Sequence, residues 1–587
     1  MKVAEKTSDY QVVHVSPRQD LFDEFNELIV SSRSIPSIRQ LVFSLAIKGK
    51  LSMPNSGDHP ASELVTLLQD ERREFVAEGK ARNLNNVPLI DPSEHAFTIP
   101  ERFKWVQFGD LGDWGAGATP SRSDASYYGG NIPWFKSGEL NNGVVMDSEE
   151  KITTKAIDAC SLRLNCPGDV LIAMYGATIG KLAIAGVECT TNQAVCACTC
   201  FSGVFNRYLF LALQALKPHF IKLSAGAAQP NYSKEKIVRT SVPLPPLAEQ
   251  HRIVAKVDGL MRLCDELEAK QAETAKVTDR SRRSVLASLT GSRDSRELSA
   301  AWRRLSDHFE ILLDRPESLA DLRQTILTLA VQGKLVKQDP NDEPADTLFA
   351  EITRSKRALV VADKIKPPKC PRPNVDTPPF GVPPSWIWVK LGAIAHSIES
   401  GWSPNCESHP REGEDWGVLK ISAVTWGVFQ PDENKALPSG VEARPHCEVQ
   451  SGDFLMSRAN TAELVAKSVI VRETPPRLMM NDKLLRIVFS PNISLDYVNL
   501  VNNSAPSRTY YESVASGTSV SMRNVSRENV TNLPIPLPPL AEQKRIVAKV
   551  DRLLTQCDRV AAQLQARQAT TEQLLTASIH RLLAEVN

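Results

Sequence analysis

Two stretches of the chain carry the same apolar stripe. Ile253, Val257, Leu260, Cys264 and Leu267 recur at steps of four and three, and Ile546, Val550, Leu553, Cys557, Val560 and Leu564 repeat the rhythm. That spacing lines one narrow helix face and favours coiled-coil packing. Prolines stand before each stripe, at 243, 245 and 246 and at 534, 536, 538 and 539. Proline suits a helix start and cannot sit inside a helix. Glu249 and Glu542 then fall in the first turn, where the helix dipole favours a negative charge. Each helix is expected to run about 40 residues, or about 60 Å at 1.5 Å per residue, and the two are expected to pack antiparallel about a pseudo-twofold axis. Shorter patterns lie upstream of each stripe. Val170–Met174 and Val469–Arg472 read as strands, and 207–216 and 495–501 as helices. The regions 98–246 and 385–539 therefore read as compact α/β or α+β domains.

The stripes belong to a larger repeat. Leu244–Asp258 and Leu537–Asp551 agree at fourteen of fifteen positions, at an offset of 293. IRQLVFSLAIKGKL at 38–51 is echoed by LRQTILTLAVQGKL at 322–335, and Trp105, Val106 and Gly109 by Trp388, Val389 and Gly392. GDVL at 168–171 is echoed by GDFL at 452–455. Each copy runs helix, linker, domain, long helix. The expected order is a repeated helical region at 1–54, a linker at 55–97, a domain at 98–246 and a central helical region at 247–336. A linker at 337–384, a second domain at 385–539 and a last helix at 540–587 complete it. The helices are nearly identical while the domains have diverged. A constant frame carrying divergent domains suits two modules that dock alike and read different things.

Composition narrows the class. With 42% hydrophobic and 23% charged residues the chain is ordinary globular protein. No apolar run approaches the ~18 residues a membrane span needs, and 1–15 lacks an apolar signal core. A cytoplasmic protein without membrane contact is the expectation. The eleven scattered cysteines form no C-x-x-C pair, which fits reduced thiols. Net charge is +1. The domains are also balanced, with 14 basic and 12 acidic residues in 101–243, and 14 and 16 in 385–536. Neither is a cationic clamp.

Catalytic motifs are wanting. The nearest approach to an adenine-methyltransferase tetrad, Thr377-Pro378-Pro379-Phe380, has Thr in the key place and lies among linker prolines. Gly176–Leu182 falls one residue short of a phosphate-binding G-x-x-x-x-G-K-[ST] loop and ends in Leu, so a tight turn between two strands is expected there. Cys196, Cys198 and Cys200 alternate and should share one face of a strand, packed in the core rather than around a metal.

The pattern PLPPLAEQxRIVAKVD, placed once after each variable domain, resembles the specificity subunit of type I restriction–modification enzymes. LRQTILTLAVQGKL and DPNDEPA (339–345) resemble its branch with a long N-terminal region. The resemblance implies two target-recognition domains that read the halves of a split site in double-stranded DNA, spaced by the helices. It implies docking of two modification (M) subunits, and of restriction (R) subunits in the full complex. S-adenosylmethionine, ATP and magnesium are expected on those partners and no cofactor, catalytic residue or metal in this chain. A coiled-coil adaptor that binds protein without reading DNA is the alternative.

Base edges are read by hydrogen-bonding forks and anchored by phosphate contacts. The first-domain candidates are Thr119, Ser121, Arg122 and Tyr127, which resemble the family's early recognition loop, then Lys136 and Ser137. Tyr175, Thr178 and Lys181 follow on the glycine turn, and Gln229, Asn231, Tyr232 and Lys234 before the last strand. Trp134 is expected in the core. In the second domain they are Trp402, Ser403, Asn405, Lys420, Ser422, Arg458, Asn460, Thr461, Ser519, Ser521, Arg523 and Asn524. Arg252, Val257, Leu260, Arg545, Val550 and Leu553 are the candidates for docking M subunits.

Overall fold

The computed structural model describes residues 35–78, 97–224, 232–370, 372–425, 427–519 and 522–585. Two compact units emerge: residues 1–274 with 569–587, and residues 275–568. Gln229, Asn231 and Ser521 lie outside the described residues, as do 1–34 and 79–96.

The first unit opens with α1 (Ile35–Ile47), which buries Ile35, Ile38, Leu41, Val42 and Leu45 at helical spacing. Next comes α2 (Ala61–Ala77), a 17-residue helix inside the segment read as a linker. Its buried side chains are only Ala61 and Leu68, seven residues apart. A helix with one thin apolar line and water on its other faces has the polar composition of a linker. Pro60 stands at its N-cap, where its missing N–H costs no helix bond, and Glu63 lies in its first turn, where the dipole favours a negative charge.

The first domain begins at β1 (Lys104–Gln107) and β2 (Gly112–Ala116). It continues through β3 (Tyr128–Phe135), β4 (Val144–Val145), β5 (Lys151–Ile152) and α3 (Thr154–Cys160). A hairpin follows, β6 (Val170–Ala173) with β7 (Leu182–Ala185), then β8 (Thr190–Thr191) and β9 (Val195–Cys200). The domain closes with α4 (Asn206–Ala215), α5 (Lys217–Ser224), α6 (Lys234–Arg239) and β10 (Ser241–Leu244) before α7 (Leu247–Thr290) departs. One sheet has the order β2-β9-β6-β7-β4 and another β5-β3-β8. Alternation along β9 sends Cys196 and Cys198 into the core with Tyr208, Val242 and Ile253. Val195 and Ala197 face Phe135 and Leu171 on the other side. Trp134 is buried, and Gly176–Thr178 is a short turn between the paired strands β6 and β7.

The second unit repeats this plan. After α8 (Ser295–Asp307) and α9 (Phe309–Leu312), α10 (Ser318–Val331) and α11 (Ala345–Val361) stand where α1 and α2 stood. The domain runs through β11 (Ile387–Lys390), α12 (Leu391–Ile394), β12 (Ala395–Ser400), β13 (Gly417–Leu419) and β14 (Asn434–Ala436). Then come β15 (Phe454–Ser457), β16 (Ala459–Asn460), β17 (Ser468–Ile470), β18 (Leu478–Met479) and β19 (Leu484–Phe489). The final run is α13 (Leu495–Asn503), α14 (Ala505–Val514), β20 (Ser516–Ser519), β21 (Met522–Asn524), α15 (Arg527–Thr531) and β22 (Pro534–Leu537), ahead of α16 (Leu540–Glu585). Sheets β12-β19-β15-β17 and β14-β13-β18 correspond to those of the first domain, the larger without a counterpart of β4, and β16-β21-β20 is a small third sheet. Two domains of mixed helix and strand, each leading into a long helix, were legible in the repeat.

Candidate nucleic-acid interface

Each domain is tied at its foot to the helix that follows. β1 pairs antiparallel with β10, and β11 with β22, so the first and last strands of a domain close on each other. Pro243 and Pro536 sit in these strands, and their carbonyls accept from the buried Tyr208 and Tyr497 hydroxyls, both at 2.7 Å. One turn into each long helix a buried glutamine bridges back. Gln250 Oε1 accepts from the Phe205 amide at 2.9 Å while its Nε2 donates to the Pro245 carbonyl at 3.1 Å. Gln543 does the same with the Ser494 amide and the Pro538 carbonyl, at 3.0 and 2.9 Å.

Arg252 and Arg545 complete the frame. Arg252 grips both oxygens of Asp58 at 2.9 and 2.5 Å, and Arg545 both oxygens of Asp342 at 3.0 and 2.5 Å. Each aspartate side chain is only 8% exposed, and its arginine holds it below the usual carboxylate range. Val257 and Val550 are buried, with Leu260 and Leu553 packed against the same cores. These six side chains thus already serve contacts inside their own unit. Reversing either arginine breaks a bidentate pair, so that substitution does not separate assembly from folding.

The candidate reading residues of the first domain gather in two places. Arg122 lies over the Tyr128 ring, 4.5 Å from its centre, and donates to Glu150 at 2.7 Å. Lys136 reaches the same carboxylate at 3.3 Å. Arg122 first, and then Lys136, keep Glu150 below the usual carboxylate range. Thr119 bonds Gln193, and Ser121 lies 2.8 Å from Ser123. Tyr127 stands beside Lys155. Second, the β6–β7 turn presents Tyr175, exposed, and Thr178, whose hydroxyl donates to the Tyr175 carbonyl at 2.8 Å. Lys181 Nζ reaches the Gly138 carbonyl at 3.4 Å, which brings this turn to the Lys136–Ser137 segment. Lys234 starts α6. Tyr232 is a correction. Its ring is buried 4.8 Å from that of Phe220 and its hydroxyl pairs with Thr240 at 2.7 Å, so no base edge can reach it.

In the second domain the Arg444 guanidinium stacks on Trp402 at 4.2 Å, and Ser403 donates to Asp482 at 2.5 Å. Asn405 is exposed. Lys420 and Ser422 converge on Glu433. The third sheet unites candidates from distant sequence: Asn460 pairs with Arg523, and Ala459 with Asn524, while β20 brings Ser519 to the same sheet. Thr461 follows Asn460, and Arg458 precedes the strand with its Nε buried and without a partner. Sequence reasoning passed over Lys217, Lys467 and Arg508, which stand beside the ends of these hairpins. Of the three only Lys467 had a signal, since Gly180-Lys181 and Ala466-Lys467 occupy one place in the repeat.

The sequence profile of the type I restriction modification DNA specificity domain matches residues 100–277 and 405–567. The chain is 32% identical to the type I restriction enzyme EcoEI specificity subunit of Escherichia coli, over 91% of this chain and 92% of the relative. To the EcoAI specificity subunit of Escherichia coli it is 28% identical, over 90% of each. Among solved structures, the HsdS subunit from Thermoanaerobacter tengcongensis aligns with 84% of this chain and 98% of its own, at 19% identity and a TM-score of 0.39.

Proposed function

From the premise that the chain belongs to the type I restriction modification DNA specificity family, as a specificity subunit with two repeated recognition domains, we propose that each domain reads one half of a bipartite site in double-stranded DNA. The long helices hold the halves at a set separation. One observation carries this reading: the tyrosine, glutamine and arginine–aspartate contacts of the frame recur in both copies, down to the Gln250 and Gln543 bridges, while the side chains on the equivalent turns differ. Tyr175 and Thr178 stand on one turn, Asn460 and Thr461 on the other. Different forks on one frame select different bases.

The chain itself is non-catalytic in this reading and works in the cytoplasm. Two M subunits dock on the solvent faces of α7 and α16, because Val257 and Val550 are engaged inside the units. R subunits join in the full complex. S-adenosylmethionine, ATP and magnesium belong to those partners. Among the described residues no helix is long and apolar enough to cross a membrane.

The test is methylation-site sequencing of the assembled enzyme on random DNA. Two specified blocks separated by an unspecified gap of fixed length are expected; one continuous block, or none, contradicts the reading. The isolated chain should bind duplex weakly and transfer no methyl group.

A further inference from the structure

The hairpins β6–β7 and β15–β17 end alike although their sequences have diverged. Gly180 and Ala466 both take a left-handed backbone, at φ +71° and +62°. The next residue is lysine in each, and its carbonyl accepts a strand amide at 2.9 Å, from Ala173 to Lys181 and from Ser457 to Lys467. A second cation comes from the first turn of the second helix after the strands, α5 in one domain and α14 in the other. In the first domain Lys217 packs so closely on Gly180 that an added Cβ would meet its Cγ at 2.9 Å. In the second, Arg508 donates through Nη2 to the Val465 carbonyl.

None of these four cations forms an ion pair among the described residues. Arg508 Nε and Nη1 are buried without a hydrogen-bond partner, and the guanidinium lies over the Tyr511 ring, 5.2 Å from its centre. Glu512, on the same helix, offers only a longer-range attraction. Burial first, and then the nearby Arg508, hold the Lys467 ammonium below its ordinary value. Arg163, Arg486 and Arg252 are matched by Asp113, Asp453 and Asp58, whereas Lys334 and Lys356 reach only carbonyl oxygens. Desolvated like charges without a counter-ion are costly. Lys467 and Arg508 carry that cost in the second domain, and Lys181 with Lys217 stands at the matching point of the first, a repeated placement that calls for an anion from outside.

We propose that Lys181 with Lys217, and Lys467 with Arg508, form one anion seat per domain that takes a phosphodiester oxygen of duplex DNA. Lys181 and Lys467 touch the phosphate; Lys217 and Arg508 supply charge behind them. An ammonium suits a phosphate as a point charge. It fixes register without choosing bases, beside turns whose neutral side chains do the choosing. The proposal rests on the DNA reading above.

The test uses Lys181→Gln and Lys467→Gln, singly and together, in the chain assembled with its methyltransferase partners. Affinity for duplexes with and without the target is measured across a salt series. Each substitution should weaken both duplexes by a similar factor and lower the slope of log K against log salt by about 1, with the methylated sequence unchanged. An unchanged slope, or a loss confined to the target duplex, overturns the seat. Melting of the full chain in inorganic phosphate is the independent arm. Phosphate should raise the midpoint of the parent more than that of Lys467→Gln, and equal shifts count against the seat. If the parent complex binds no duplex while phosphate still protects it through Lys467, the DNA reading fails and the anion seat stands.

Discussion

Glu249 and Glu542 occupy one place in the repeat and meet different company. Glu249, wholly buried, accepts from Arg102 at 2.8 to 3.1 Å and from Ser52 at 2.6 Å. Glu542, 1% exposed, accepts from the Trp386 indole at 2.9 Å and the Gln338 amide at 2.7 Å. Burial raises the Glu542 carboxyl above its ordinary value, and the two hydrogen bonds offset only part of this. A carboxyl raised on folding favours the protonated form, so its contribution is full below the ordinary glutamate value and is lost as pH rises through the raised one. Wherever Glu542 is ionised, its charge is therefore a cost. Glu542→Gln should be neutral or stabilising by up to about 1 kcal/mol at pH 7, an advantage that vanishes at acid pH. Glu249→Gln strands Arg102 and should cost about 1–3 kcal/mol, given that the arginine keeps some water. Denaturant melts at pH 7 and pH 4.5 read both; equal signs for the two substitutions at pH 7 would refute this contrast. At this scale the sequence located the glutamates and their helix turn but not their partners. Arg252 finds Asp58 across 194 residues, and nothing near Tyr232 shows that its ring folds under Phe220.

The elements were more legible than the contacts. Both long helices and the β6–β7 turn followed from periodicity and glycine placement, and the helices run 44 and 46 residues. The segments read as linkers hid α2 and α11 because each buries only a few side chains completely, Ala61 and Leu68 in one, Ala345, Leu348 and Ile352 in the other. The hairpin twins offer a test of local strain. Ala466 adopts the left-handed conformation that its twin Gly180 adopts freely. Ala466→Gly should change stability by less than about 1 kcal/mol, because relief of the Cβ clash is offset by the added chain entropy and by the lost burial of its methyl. Gly180→Ala should lower it, since the new methyl also meets Lys217. Thermal melts that rank the pair the other way would show that the two turns are not equivalent.

At the scale of the whole molecule the helices, in the function proposed, act as a ruler. Cys264 is buried against Ile35 and Ile38, and Arg39 holds Asp265 and Glu268 at 2.6 and 3.0 Å, so an insertion just after Cys264 would tear α1 away. Four residues inserted after Glu268 avoid those contacts. They add about 6 Å at 1.5 Å per residue and stay close to one turn, which keeps the apolar stripe nearly in phase. The gap between half-sites should grow by one or two base pairs, at about 3.4 Å each, while the half-sites stay the same. Altered half-sites with an unaltered gap would mean that something else sets the spacing.

That each domain reads its own half of the site is tested most directly by exchange. Residues 98–246 are replaced by the matching domain of the EcoEI specificity subunit, and methylated sites are sequenced after assembly. One half of the recognition sequence should change while the other half is retained. A motif in which both halves change, or neither does, would contradict the account.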